Sequence, residues 1–183
     1  MHIVEMLKSG QAGLDEFSHW RGANPYARLN FLGMAEILKS GPEGVKQWNA
    51  WRAVNQYEHI DFSGRNFSGI DLRGVDFHAA QLLCVNFSET NLCQANLFSA
   101  LLIKTNLWRA NLCLANLNLA NLHKAILTGA YLGGANLNRA DLRGAILDES
   151  DLIEANLAFT LGLKHADWER ACKQTMKTIH FAD

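Results

Sequence analysis

The sequence has few of the residues from which catalytic and metal sites are built. It contains four cysteines and seven histidines in 183 residues, and none of them has a partner at the spacing of a zinc site. The motifs GxSxG, HExxH, CxxC and GxGxxG and the P-loop are absent. We therefore expect no enzyme activity, no bound metal and no cofactor.

An excess of one charge and long apolar runs are also missing. The formal net charge is -1, which disfavours direct binding to nucleic acid or to an anionic membrane. No apolar run approaches the roughly 18 residues that a membrane helix needs. The N-terminus lacks the basic and apolar regions of a signal peptide. We expect a cytoplasmic protein with one sizeable core, because 49% of the residues are hydrophobic.

A five-residue period begins at residue 60 and continues for twenty blocks. The third residue of every block is Leu or Phe, the first is Ala in twelve blocks, and the second is Asn or Asp in fifteen. In an extended segment the first and third side chains point one way and the second points the other way. The pattern predicts short extended pieces with Leu or Phe and Ala inside, each followed by a two-residue turn. One block cannot bury its own leucine, so successive blocks must stack.

Blocks such as NLCQA, NLFSA, NLWRA and DLRGA resemble the pentapeptide-repeat family, over about 100 residues of the chain. The resemblance implies a mainly β fold, a right-handed, four-sided parallel β-helix with four pentapeptides per coil. Twenty blocks would make about five coils, and residues twenty positions apart, such as Leu102 and Leu122, would stack. Arg65 is the one interior residue that fits poorly, and we expect its guanidinium to leave through the open end of the first coil.

The chain divides into three regions. Residues 1–58 form a duplicated helical N-terminal capping region, residues 59–160 form the β-helix, and residues 161–183 form a C-terminal cap with a short helix. Residues 5–33 and 36–64 are identical at twelve of 29 positions. The second copy resembles the helical cap that precedes many cyanobacterial-type, and hence bacterial, pentapeptide-repeat proteins. The first copy can stack above the second, or it can fold over the apolar face of the rod.

An outward-facing apolar cluster is the candidate protein-binding site. Its members are Leu83, Phe98, Leu101, Ile103, Trp108 and Leu119. Other outward residues are mostly Asn, Asp, Ser, Arg and Gly, so an apolar cluster is unusual on this surface. The columns of asparagine, such as Asn96, Asn116 and Asn136, are interpreted as stabilising amide ladders.

Two functions are compatible with these observations. The first is a non-catalytic protein-interaction or scaffold module that binds an unidentified protein. The second, implied by some members of the family, is a DNA mimic that binds or protects DNA gyrase and so confers quinolone resistance. Residues 59–160 hold nine acids and seven bases without a continuous acidic column, so DNA gyrase is the weaker candidate partner. The open ends of a β-helix leave a dimer through the ends as a further option.

Cys93 and Cys113 lie twenty residues apart and should stack outward on one face. Their Cα atoms would then be about 4.8 Å apart, which a disulfide permits. The alternative is a pair of free thiols, as is usual in a reducing cytosol.

Overall fold

The repeat region forms a solenoid in which each turn takes twenty residues. The computed structural model describes residue 9, residues 11–23 and residues 32–163. Parallel bridges join the second residue of each block to the residue twenty positions later, from Asp61–Gln81 to Asp141–Leu161. Each strand is reduced to one bridging residue with a turn on either side. The right-handed twist and the number of five coils stay predictions.

Four columns of buried residues define four sides of the solenoid, denoted A to D. The columns are Phe62, Leu82, Leu102, Leu122 and Leu142 on side A; Phe67, Phe87, Leu107, Leu127 and Leu147 on side B; Leu72, Leu92, Leu112, Leu132 and Leu152 on side C; and Phe77, Leu97, Leu117, Leu137 and Leu157 on side D. All are buried except Leu157, which is partly buried. The register expected from the five-residue period is therefore the register of the structure.

The first residue of each block also faces the interior, and the threonines and the serine at this position are hydrogen-bonded. The Thr90 hydroxyl donates to the Phe67 carbonyl at 2.6 Å, and the Thr105 hydroxyl donates to the Leu102 carbonyl at 2.7 Å. Buried hydroxyls cost little when they are hydrogen-bonded in this way. Arg65 is half-buried at the N-terminal end of the solenoid, where it was expected to reach solvent.

Every backbone N–H of a regular block has an acceptor. The block at residues 110–114 shows the pattern: its five N–H groups donate to Leu107 O (3.0 Å), Thr90 O (2.9 Å), Tyr131 O (2.7 Å), Asn111 Oδ1 (3.1 Å) and Gly133 O (2.9 Å). Three of these bonds run to neighbouring turns of the solenoid, one closes a β-turn, and one goes to a side chain. This saturation explains how a chain with little regular strand remains ordered.

The fifth residue of every block has a left-handed backbone. All twenty such residues between 64 and 159 have positive φ, and fourteen of them are not glycine. A left-handed L-residue costs about 1–2 kcal/mol, so the conformation must be held by other interactions. At Leu114 (φ 56°), the N–H donates to Gly133 O at 2.9 Å, and the next N–H closes the turn onto Leu112 O at 3.0 Å.

Among the described residues, three helices precede the solenoid: α1 (Gln11–Ala23), α2 (Leu32–Leu38) and α3 (Pro42–Val54). Helix α3 begins with Pro42, whose missing N–H is tolerated at a first helical position. Its Trp48 and Trp51 are fully buried, and the Trp48 ring lies 5.4 Å from the ring of Phe62. Helix α3 therefore covers the apolar interior at the first turn of the solenoid, where no earlier turn could bury it.

Side chains of α3 also replace the hydrogen bonds that a preceding turn would have made on side D. Trp48 Nε1 donates to Asp76 O at 2.7 Å, and the Asp76 N–H donates to Asn49 Oδ1 at 2.9 Å. The buried Arg52 donates to His78 O at 3.1 Å. Burial lowers the pKa of Arg52, although Asp76 opposes that shift. On side D, the edge of the first turn is thus satisfied by side chains rather than by backbone.

Helix α1 contacts α3, as stacking of the two N-terminal copies would require. The Phe17 ring meets the Trp51 ring edge-on at 5.7 Å, and Arg21 forms a bidentate ion pair with Glu58. The predicted C-terminal cap helix, with Trp168 and Cys172, lies outside the described residues. The boundaries of the three regions stay predictions.

Candidate interaction surface

Three of the six predicted contact residues lie together on side A. Leu83 and Ile103 occupy the same position in consecutive turns, and Leu101 forms bridges to Gln81 and Asn121. All three apolar side chains are half-buried. They form a narrow apolar strip along this side.

The other three predicted residues lie on the two neighbouring sides, and all three are exposed. Phe98 and Leu119 belong to side D, and Trp108 belongs to side B. The Arg109 guanidinium lies over the Trp108 ring, with Cζ 4.5 Å from the ring centroid. This cation–π contact shields one face of the indole. The six residues therefore wrap around three sides instead of forming one flat patch.

The asparagines and aspartates at the second block position share a function that the sequence did not reveal. In all fifteen such blocks the side-chain oxygen accepts a hydrogen bond from the N–H two residues later, at 2.9–3.3 Å. This is the Asx turn, which short polar side chains form readily. The predicted amide ladder is present in part: Asn116 Nδ2 donates to Asn96 Oδ1 at 3.4 Å and Asn156 Nδ2 donates to Asn136 Oδ1 at 3.2 Å, whereas the structure of residues 32–163 shows no such bond between Asn116 and Asn136.

Five blocks lack this side-chain acceptor, and four of them carry an apolar or aromatic residue instead. The exceptions are Gln81, Leu101, Ile126, Tyr131 and Ile146. None of the five is on side D, where Asp76, Asn96, Asn116, Asn136 and Asn156 are all present. The four apolar exceptions are denoted the gap residues. A gap residue cannot form the Asx turn, and it places an apolar side chain outward.

Side B carries an exposed apolar strip that the sequence analysis missed. Ile126 and Ile146 are bridged to each other, and they are 40% and 45% exposed. They follow Asn106 in the same column, so Trp108 lies diagonally across from Ile126. The signal was available, because isoleucine replaces asparagine at these two second positions. Its meaning became clear only once the role of the asparagine was known.

Two lysines form the edge between sides A and B. Lys104 and Lys124 are exposed and occupy the same corner position in consecutive turns. Below them, Gly144 lets the lysine stem lie along the corner, since a Cβ there would come within 3.2 Å of Lys124 Cγ. The structure describes no ion pair for either lysine within residues 32–163. The two apolar strips are thus separated by a basic ridge.

Further along side A, the basic charge of Arg143 is already neutralised. Arg143 Nη2 donates to Asp141 Oδ2 at 2.7 Å and Nε donates to Asp141 Oδ1 at 2.8 Å. This pairing with Arg143 holds the pKa of Asp141 below its ordinary value. Beside it, the buried His123 Nδ1 has no hydrogen-bond partner in the described part of the chain.

Side C has an open groove with a volume of about 390 Å³. Arg109, Asn111 and Cys113 line one part of it, and Tyr131 and Gly133 line another. Within the described residues no cluster of three or more His, Cys, Asp or Glu side chains could hold a metal ion. No helix among those residues has the length and hydropathy to cross a membrane.

The sequence matches the family model of pentapeptide repeats in eight copies, at residues 58–94, 95–134 and 125–158. The matched residues make up more than half of the chain, which therefore belongs to the pentapeptide-repeat family. The predicted family and its repeat-solenoid fold are confirmed. Proteins of this family are generally non-catalytic structural or interaction modules.

Several solved structures are similar to this chain. A pentapeptide repeat protein from the thylakoid lumen of Arabidopsis thaliana is 30% identical, with a TM-score of 0.53 over 65% of this chain and 79% of that chain. Rfr23, a pentapeptide repeat protein from the cyanobacterium Cyanothece 51142, is 32% identical, with a TM-score of 0.49 over 58% of this chain and 82% of that chain. Full-length QnrB1, a plasmid-mediated fluoroquinolone resistance protein, is 19% identical, with a TM-score of 0.26 over 62% and 65%. No curated protein matches the sequence.

Proposed function

We propose that this protein is a non-catalytic interaction module that binds another protein through sides A and B. The supporting observation is that three of the four gap residues lie on these two sides, while the fourth, Tyr131, lies on side C. Leu101, Ile126 and Ile146 cannot form an Asx turn, and each places an apolar side chain outward, half-buried at Leu101 and exposed at Ile126 and Ile146. Each change gives up an Asx-turn hydrogen bond, which contributes about 0.5–1.5 kcal/mol, and leaves apolar surface whose burial by a partner stabilises a complex by about 25 cal/mol per Å². A partner that buries these side chains would compensate for the lost hydrogen bonds.

The chemistry of the surface defines the partner. The contact surface consists of the apolar strips Leu83–Leu101–Ile103 and Trp108–Ile126–Ile146, with the ridge of Lys104 and Lys124 between them. Phe98 and Leu119 extend it around the corner onto side D. A complementary protein presents apolar side chains on both flanks of an acidic row. Such a pairing favours acidic partners and slows binding of basic ones.

The same ridge weighs against mimicry of DNA. A mimic of the duplex must present a continuous negative field to compete with phosphate. Lys104 and Lys124 interrupt the surface where sides A and B meet, and Arg109 lies at the next corner, between sides B and C. The likeness to QnrB1 is too weak to bear on this question, so gyrase is not proposed as the partner. In a supercoiling assay, we expect the protein neither to inhibit gyrase nor to protect gyrase from a quinolone.

The experiment compares affinity capture by three forms of the full-length protein. The test variant is Ile126→Asn/Ile146→Asn, and the matched control is Ile153→Asn, which changes an isoleucine of similar exposure (41%) on side C. Each substitution on side B loses part of an isoleucine's burial and gains an Asx turn, so the two terms offset each other to within about 1 kcal/mol. Circular dichroism and thermal melting should confirm that all three proteins are folded.

We expect the same cytoplasmic proteins to be enriched by the wild type and by Ile153→Asn, and to be lost with the double variant. Lys104→Gln/Lys124→Gln should weaken capture and reduce its sensitivity to salt. Equal enrichment by all three folded forms would rule out side B as the contact surface.

The proposal also requires the surface to be free of the N-terminal copy. The contact between Phe17 and Trp51 favours stacking of α1 above α3, not across side A. Removal of residues 1–34 should therefore leave hydrogen exchange in residues 98–108 unchanged. Faster exchange there in the truncated protein would mean that the N-terminal copy is the natural cover of this surface.

A further inference from the structure

Cys93 and Cys113 occupy the same position in consecutive turns on side C. Asn91 and Asn111 form a parallel bridge, and each accepts a 3.1 Å hydrogen bond from the N–H of the cysteine two residues later. Facing residues of neighbouring strands are about 4.8 Å apart. Disulfides form across Cα separations of about 4.4–6.8 Å.

The backbone around both cysteines is fixed in this register. The Leu92 N–H donates to Asn111 O at 2.7 Å, and the Gln94 N–H donates to Cys113 O at 2.8 Å. Both thiols are free and half-buried. Burial raises the pKa of the Cys93 thiol, and a hydrogen bond with Cys113 raises it further. The two cysteines therefore lie at stacked positions on strands that backbone hydrogen bonds hold in register.

We propose that Cys93 and Cys113 are a reversible dithiol–disulfide pair, which a peroxide or a disulfide oxidant converts into a covalent link between two turns of the solenoid. The open groove on side C, which Cys113 lines, admits an oxidant of this size. The link closes residues 93–113 into a ring of one full turn. That ring contains Leu101, Ile103 and Trp108 of the proposed contact surface, although the pair itself lies on another side and does not depend on the proposed function.

The reaction balances with hydrogen peroxide as the oxidant. One cysteine thiolate attacks a peroxide oxygen and becomes a sulfenic acid, while the other oxygen leaves as hydroxide and takes up a proton to form water. The second thiol then attacks the sulfenic sulfur, the S–S bond forms, and the hydroxyl group leaves as a second water. Two thiols and one peroxide thus give one disulfide and two waters. A thiol reductant reverses the link by thiol–disulfide exchange.

Cys84 provides the internal control. It is exposed at the corner of side A, and the same position in the adjacent turns is held by Gly64 and Lys104. Cys84 therefore has a similar thiol but no stacked partner. A variant that keeps only Cys84 and Cys93 has the same number of thiols as one that keeps only Cys93 and Cys113.

The experiment treats two full-length variants with hydrogen peroxide and then counts thiols by alkylation in denaturant. Cys84→Ser/Cys172→Ser retains the proposed pair, and Cys113→Ser/Cys172→Ser retains the unstacked pair. We expect the first variant to lose both thiols as an intramolecular disulfide, seen as a Cys93–Cys113 cross-link between tryptic peptides and reversed by a reductant. The reaction should accelerate as pH rises, because the pKa of Cys93 is raised and the thiolate is the nucleophile.

The second variant should retain its thiols or form only intermolecular disulfides under the same conditions. Equal intramolecular cross-linking in both variants would show that local unfolding, not stacking, brings the sulfurs together, and would overturn the proposal. Retention of both thiols in the first variant would also overturn it. Either result leaves the proposed interaction surface untouched.

Discussion

The Asx turn at the second block position can be tested by removing it at one residue and restoring it at another. Asn121 and Leu101 are bridged neighbours on side A, which makes them a matched pair. Asn121 Oδ1 accepts from the His123 N–H at 3.0 Å. Leu101 offers no such acceptor to the N–H of Ile103. The two sites therefore differ in one hydrogen bond within otherwise equivalent blocks.

Asn121→Ala removes an acceptor from a partly buried N–H. A hydrogen bond of this kind contributes about 0.5–1.5 kcal/mol, and in a protein of this size each kcal/mol lowers Tm by about 2–4 °C. We expect Tm to fall by about 1–6 °C. The His123 amide should exchange with deuterium up to about tenfold faster, since 1.4 kcal/mol is a factor of ten. Leu101→Asn should slow exchange of the Ile103 amide by a similar factor.

Amide-resolved NMR hydrogen exchange under native conditions provides the measurement. Asn121→Asp is the control, because the carboxylate keeps an acceptor and should preserve protection of the His123 amide. In the wild type, the amide of Gly133, which follows Tyr131, should already be among the faster of the equivalent amides. Unchanged exchange of the His123 amide in Asn121→Ala, together with unchanged exchange of the Ile103 amide in Leu101→Asn, would refute the role of this side chain.

Three further predictions concern the core, the N-terminal edge and the surface charge. Leu112→Asp should unfold the protein, because it buries an unpaired charge among stacked leucines, whereas the outward Asn138→Asp should shift the thermal melt little; equal shifts would contradict the register. Asn49→Ala should lower Tm by about 2–12 °C, because its hydrogen bonds with Asp76 N and Gly74 O are lost. A Tm equal to that of the wild type would contradict the role of α3 at this edge. Arg143→Gln should raise the pKa of the Asp141 carboxyl toward its ordinary value of about 3.9. The stability that comes from the lowered pKa is present above that value and is lost as pH falls through the folded-state pKa. Urea titrations at several pH values should therefore show a difference in stability between wild type and variant at pH 7 that disappears in acid.

An outward position is not always a suitable site for a control substitution, as Asn118 shows. Asn118→Asp is an outward substitution and would be expected to cost little. However, Asn118 Oδ1 is buried and has no hydrogen-bond partner within the described residues. A carboxylate there would lose solvation without gaining a donor. Asn138 lies one turn later in the same column and has no buried side-chain atom without a hydrogen-bond partner, so it is the better control.

The five-residue period determined the register because its physical basis is local. The Leu or Phe at the third position of every block can be buried in only one register, and a shift by one residue would expose the entire column. The positions of Leu102, Leu112 and their equivalents were therefore predictable. The edge contacts of α3 were not, because an asparagine such as Asn49 gives no sign in the sequence that its amide substitutes for a missing strand.

The candidate surface was predictable in part. Leu83, Leu101 and Ile103 could be grouped by counting residues in twenties, and the structure places them on one side. Ile126 and Ile146 were missed because hydrophobic residues scattered on a surface are ordinary. Their significance depends on the hydrogen bond that an asparagine makes at that position, which is visible only from atomic positions.

Under the proposed function, stability and recognition compete at the second block position. The interior positions are constrained on all sides by packing, so a change there affects the whole solenoid. An outward Asn or Asp affects one hydrogen bond, so it can be exchanged for an apolar side chain at a cost of about 1 kcal/mol without loss of the fold. Side D keeps this residue type in every block, whereas sides A, B and C give it up at the gap residues. A purely structural solenoid would have no reason to treat its sides differently, and departures from a local stability rule tend to coincide with function.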